Sequence, residues 1–215
     1  MKIIKYFVPV CMVLLLSACT LGEKTEEKLS NILSETYELE SDYRDVQKLL
    51  AETELKEQAN FQSMMELTKD QKEELTVQVE ETAKLLEERL VLVEKEKAAI
   101  HQASDKLADF KVLISETKEE SEKASIEQVE EALKNRYDAY DNLTVQYTTL
   151  ADLQENLYNM LIEEDVEISS VQEQVMEVNK QNEVVQQAVQ NFNDLTAKLN
   201  QVKEEVFTSL QTENK

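Results

Sequence analysis

The chain has 215 residues with 45 Asp and Glu against 23 Lys and Arg, a formal net charge of −22 at pH 7. That sign excludes nucleic-acid binding, which needs a basic footprint to displace counterions from phosphates. A single glycine and a single proline exclude most β-architectures, whose strands reverse on those residues. With 6% aromatic residues, they point instead to long helices with narrow apolar seams.

At the N-terminus Lys2 and Lys5 form a short basic stretch, and Tyr6 to Leu16 an apolar one. This run is well short of the roughly 20 residues a spanning helix needs. It ends in Leu16-Ser17-Ala18-Cys19, which has the form of a lipobox. Ser17 and Ala18 are small enough for a signal-peptidase groove, and Cys19 offers a thiol that can take a diacylglyceryl group. The layout predicts a cleaved lipoprotein signal peptide over residues 1–18 and a lipid-anchored tether over 19–23. A single helical bundle domain follows over 24–215. Two acyl chains suffice for stable membrane attachment where one does not. Cleavage removes Lys2, Lys5 and Cys11, leaving a formal charge of −24 and no thiol except Cys19. Stability must then come from packing without disulfides.

Beyond Gly22 the periodicity is helical. A first helix, roughly 24–67, carries Ile32, Leu39 and Val46 seven apart, with Tyr43 and Leu50 beside them and Thr53 and Asn60 later on the seam. Asp70 to Glu73 reads as a capping box that opens a second helix, roughly 70–118. Its line Val79, Leu86, Val93, Ile100, Leu107, Ile114 holds register throughout. The charged stretch Lys118 to Lys123 breaks this phase, and Ser125 to Gln128 supplies the next capping box, with Ala124 and Val129 as its hydrophobic staple. The third helix carries Ile126, Leu133, Tyr140, Tyr147 and Leu161. The last carries Val171, Val178, Val185, Phe192, Leu199 and Val206.

Counting in sevens from Ile126 reaches Ile168 and Val175, so these last two segments could form one very long helix, giving three helices in all. Glu164 on the seam and a capping box at Ser170 to Glu173 favour a break near 164–169. The fold class predicted is therefore all-α: an elongated up-and-down bundle of four long antiparallel helices. The repeat of 3.5 residues implies left-handed, coiled-coil-like packing.

The lipobox Leu16 to Cys19, the absence of Gly and Pro beyond Gly22 and the acidic heptad helices together resemble the YkyA-like family of lipoproteins of low-GC Gram-positive bacteria, to which cell-wall binding is ascribed. The resemblance implies a surface lipoprotein at the outer face of the cytoplasmic membrane, facing the wall. It supplies no catalytic motif to carry over.

Chemistry-bearing residues are sparse. His101 follows the seam residue Ile100 and lacks the Glu at 98 that a bundle Glu-x-x-His site would need, so it reads as a solvated side chain. Glu116, Glu119, Glu120 and Glu122 read as a solvated turn, without the Asp/Asn/Gly loop of a calcium site. No nucleophile–base spacing and no phosphate-cradling loop are present; the protein is read as non-enzymatic, without cofactor or metal. Tyr137, Tyr140, Tyr147 and Tyr158 concentrate on the third helix, where seam placement favours core packing over a glycan-stacking stripe.

Antiparallel geometry puts the turns near 68 and 166 at the end away from Cys19. Phe61, Met64, Met65, Tyr158 and Met160, with Leu67, Leu161 and Ile162, gather there as a candidate partner tip. The expected function is a membrane-anchored rod that docks a cell-wall component or an envelope protein. The alternative is a sensor or carrier holding a small ligand in the bundle core, with Thr53, Asn60, Asn182 and Thr196 as the polar seam positions that would line it.

Overall fold

The computed structural model describes residues 24–213, all of the regular structure helical. Six helical segments make four rods. α1 (Thr25–Leu39) and α2 (Ser41–Glu66) form the first. α3 (Lys72–Ser104) and α4 (Leu107–Glu116) form the second. α5 (Glu120–Ile162) and α6 (Ile168–Glu213) are the third and fourth. At 46 residues, α6 is about 70 Å long.

The two longest helices, α5 and α6, are separated by residues 163–167, so the reading with one very long helix falls. Glu164 lies in that turn and is held by Lys72 at 2.7 Å. The 3-10 turn Lys69–Gln71 closes the same end of the bundle. At the opposite end Thr25 donates to Glu122 at 2.7 Å, Lys28 pairs with Glu116 at 2.8 Å, and Gln211 donates to Glu26 at 3.0 Å. Neighbours in sequence are neighbours in space: α2 packs on α3, α3 on α5 and α5 on α6, while α1 also touches α6. This is up-and-down topology.

Several helix ends differ from the sequence expectation. The capping box that precedes α3 is made by Thr68 and Gln71, with the Thr68 amide donating to Gln71 Oε1 at 3.1 Å, rather than by Asp70 and Glu73. Likewise α5 starts at Glu120, not at the Ser125 box, because Glu120 and Glu122 in its first turn complement the positive end of the helix dipole. The α6 helix starts at Ile168, a little before the Ser170 box, with Ser170 donating its amide to the Glu167 carbonyl at 3.0 Å.

The second rod is also interrupted, where the sequence predicts an unbroken seam. At Asp105 and Lys106 the amides of Lys106, Ala108 and Asp109 reach back only three residues, at 2.9 to 3.1 Å. Such bonds tighten the turn and rotate α4 relative to α3. Leu107 and Ile114 are consequently only half-buried, and Phe110 and Leu113 take the core positions. The line that stays buried along the whole rod is Thr82, Arg89, Glu96, Ala103, Phe110, Thr117, again seven apart. Two of its members are charged.

Apolar packing forms two clusters. The larger surrounds Leu29, Ile100, Phe110, Ile126, Tyr140 and Leu210. A smaller one, toward the end with the 163–167 turn, contains Met64, Val79, Leu86, Ala151 and Tyr158. The buried heptad positions of α6 are Val185, Phe192, Leu199 and Val206; Val171 and Val178 are only half-covered.

Candidate functional site

Burying a charged group costs several kcal/mol unless a partner and hydrogen bonds compensate. Yet Glu40, Glu57, Arg89, Glu96 and Arg136 are all buried between the rods. They are compensated in a regular way, because each of the four α5 tyrosines donates its hydroxyl to a glutamate from the first or second rod. Tyr137 donates to Glu40 at 2.9 Å, Tyr140 to Glu96 at 3.2 Å, Tyr147 to Glu54 at 2.5 Å and Tyr158 to Glu57 at 2.7 Å. The result is a ladder of four glutamate–tyrosine rungs along the bundle axis.

The two outer rungs hold a guanidinium. Arg136 grips Glu40 in bidentate fashion, Nη1 at 2.7 Å and Nη2 at 3.1 Å, and its Nε donates to Thr196 Oγ1 at 3.1 Å. Its charge also lies 4.9 Å from the Phe192 ring centroid, within cation–π range. At the other end Arg89 Nη1 sits 3.1 Å from Glu57 Oε2, and Nη2 donates to Gln154 at 2.6 Å. That contact is an ion pair without good hydrogen-bond alignment, since Glu57 Oε2 and Arg89 Nε both lack a hydrogen-bond partner. Burial pushes the Glu57 carboxyl up from its ordinary pKa, and the Arg89 charge only partly opposes this.

In the inner rungs neither glutamate takes part in an ion pair among the described residues, although the Arg89 guanidinium stands over the Tyr147 ring, 5.1 Å from its centroid. Glu96 accepts from Tyr140 and, at 2.5 Å, from Gln47 Nε2. Burial raises its carboxyl to a pKa of about 7, against the pull of those two donors, with the neighbouring Glu54 charge adding to the rise. The hydroxyls of Tyr137, Tyr140, Tyr147 and Tyr158 are pushed upward as well, first by burial, with the carboxylates beside them adding to the rise. All four therefore stay neutral donors over the working pH range.

The residues singled out in the sequence fall into place unevenly. Cys19 and the rest of the lipobox, Leu16, Ser17 and Ala18, lie outside the described residues. His101 is exposed and bonds Asp141 at 2.8 Å. The acidic turn is neutralised piecemeal: Glu116 pairs with Lys28 and Glu120 with Lys123 at 2.6 Å, while Glu122 accepts from Thr25. Among the described residues no three His, Cys, Asp or Glu side chains are grouped as metal ligands would be. Tyr137, Tyr140 and Tyr158 are core residues, and Tyr147 is half-buried.

At the tip Met64 and Tyr158 are in the core, with Phe61, Leu161 and Ile162 packed against them. Met160 is half-buried, and Met65 is exposed at 63%. Sequence alone treats the two adjacent methionines as equally replaceable by charged residues; with Met64 only 4% exposed, the fold tolerates that change at Met65 alone. Of the polar seam positions, Thr53 is buried with its hydroxyl on the Leu49 carbonyl at 2.8 Å, and Thr196 takes part in the Arg136 rung. Asn60 is half-buried and Asn182 exposed. The buried charges escape a reading of the sequence because they break an apolar line; the available signal is heptad spacing from buried residues, Glu96 and Arg89 from Ala103, Glu57 from Met64 and Arg136 from Val129.

No helix among the described residues is long and apolar enough to cross a membrane. A crystal structure of a conserved protein of unknown function from Staphylococcus aureus shares the fold, with a TM-score of 0.73 at 15% identity, covering 86% of this chain and 96% of that one. The Bacillus subtilis (strain 168) protein named "Uncharacterized lipoprotein YkyA" is 22% identical over 196 residues, which is 91% of this chain and 87% of that protein. The family to which that name refers, described as "Putative cell-wall binding lipoprotein", matches residues 24–209, nearly the whole described bundle. An acidic chain, helical throughout its described elements and matched over that length, belongs to the YkyA lipoprotein family.

Proposed function

We propose that the protein is a non-enzymatic, lipid-anchored rod that stands on the outer face of the cytoplasmic membrane and contacts the cell wall or a wall-associated protein. The observation that carries this reading is the family match over residues 24–209, whose description names wall binding. The bundle geometry agrees with it. A lipid on Cys19 would hold the Thr25 end at the membrane and set the turns at 67–71 and 163–167 roughly 70 Å away. The buried ionisable groups are engaged with one another along the axis, an arrangement suited to holding helices in register.

Wall polymers of Gram-positive cells are anionic, and a chain whose formal charge is −24 once Lys2 and Lys5 are cleaved away is repelled by them. The contact is therefore narrow and directed at peptidoglycan or a protein. Purified walls should retain the protein at least as well after teichoic acid is stripped as before. Retention that disappears on stripping would contradict this reading.

Exposed Met65 is the apolar residue of the tip that can be changed without opening the core. Met65→Glu should lower wall retention several-fold while leaving stability within about 0.5 kcal/mol; undiminished retention would remove the tip from the contact. For the anchor, Cys19→Ser should abolish incorporation of labelled fatty acid and release the protein from membranes, whereas labelling that persists would place the lipid elsewhere.

A further inference from the structure

The inner rungs of the ladder adjoin a cleft of about 260 Å³ bounded by α2, α3, α5 and α6. Glu54 and Glu96 both line it. Among the described residues neither takes part in an ion pair, unlike Glu40 and Glu57, which have Arg136 and Arg89. The walls are aromatic. Tyr43, Tyr140 and Phe192 pack edge to face, with centroids 5.5 to 6.0 Å apart, and Tyr147 closes the side next to Glu54. Aromatic rings attract a cation through their quadrupole, and a carboxylate without a countercharge in a low-dielectric cleft either holds a proton or draws a cation to it.

The volume lies below the ~300–1,000 Å³ of drug-sized sites, which suits a small ion. Leu50, Val93 and Leu143 make part of the wall apolar. A hard metal ion wants about six or more oxygen ligands, whereas methylene or methyl groups around a nitrogen match rings and aliphatic carbons. We infer that the cleft between Glu54 and Glu96 binds a small organic ammonium ion, the two carboxylates supplying countercharge and the rings of Tyr43, Tyr140, Tyr147 and Phe192 the surface against which it rests. The net charge of −22 raises the local concentration of such ions near the protein. This site is independent of wall contact at the tip.

The occupancy is pH-dependent. Around Glu96 stand Gln47, Glu54 and Tyr43 from α2 and Tyr140 from α5; Arg136, over the Tyr43 and Phe192 rings, and Arg89, over the Tyr147 ring, do not line the cleft and are engaged by Glu40 and Glu57. With its carboxyl pushed up to about 7, Glu96 must release a proton when the cation enters. Affinity consequently rises about tenfold between pH ~6 and ~8.

Calorimetric titration of the full chain in a non-ionic detergent tests this, with choline and ethanolamine as probes. The controls are 3,3-dimethylbutan-1-ol, the neutral isostere of choline, and potassium and magnesium chlorides. At least one ammonium probe should saturate with a Kd below about 10 mM. The neutral isostere should bind at least tenfold more weakly, and Glu96→Gln, whose fold is checked by its melting transition, should weaken binding at least tenfold. Glu54→Gln gives a second variant with the same expected direction. Equal binding of the isostere, equal competition by the inorganic salts, unchanged affinity in both variants, or no saturable binding of either probe would overturn the assignment.

Discussion

Replacing Arg136 by methionine is expected to cost about 3–5 kcal/mol of unfolding free energy, because it leaves the Glu40 carboxylate buried with Tyr137 as its one remaining side-chain donor. Methionine keeps most of the volume of the arginine stem, so the loss reports the stranded charge more than a cavity. For a chain of this size that is a fall in melting temperature of roughly 10 °C. Removing the stranded charge in turn, as Glu40→Gln in the Arg136→Met background, should restore more than half of the loss. Denaturant titrations of the two single variants and the double one close the cycle. Additive losses would show that the pair is not coupled.

Glu96→Gln is expected to act in the opposite direction. The folded Glu96 carboxyl has a pKa of about 7 against an ordinary value of 4.5, and burial is the main cause. Between those values the folded chain holds a proton that the unfolded chain has released. Stability therefore falls as pH rises through this window, and above it lies on the order of 3 kcal/mol lower than the same group would allow below it. Glutamine has the same shape and no charge: its carbonyl can accept from Tyr140, and the Gln47 amide can turn to offer its own oxygen. The variant should match the wild type near pH ~4 and exceed it by about 1–3 kcal/mol near pH ~8. Glu57, raised in the same direction, stays in both proteins and cancels in the comparison. A difference independent of pH would show that Glu96 does not titrate in this range.

Much of the architecture was legible from residue spacing. The apolar lines through Val79, Leu86, Val93 and Ile100 and through Val185, Phe192, Leu199 and Val206 are buried as a 3.5-residue repeat requires. The interruption at 163–167 was signalled by Glu164, an acid on an apolar line, and the structure turns the chain there. Helix starts were less legible. Potential capping pairs at Asp70, Ser125 and Ser170 were real in composition, but the Thr68–Gln71 pair precedes α3, first-turn acids open α5, and α6 starts two residues ahead of Ser170.

Length, the absence of turn residues and the heptads determined by themselves that the described chain is helical and that its rods are long, because hydrophobic period and helix propensity are local properties; the heptad phase runs on past Glu164, and the turn at 163–167 that makes the rods four was decided by the structure. Tertiary structure alone decided which charges point inward. Glu40 finds Arg136 and Tyr137, and Glu57 finds Arg89 and Tyr158, on helices up to 101 residues distant. A buried charge is tolerable only once those partners have been brought to it, so its heptad position can mark it as inward-facing but cannot name the partner that makes burial possible. The same holds for Met64 and Met65, adjacent in the chain, where the packing of α2 on α3 and α5 puts one in the core and leaves the other at the surface.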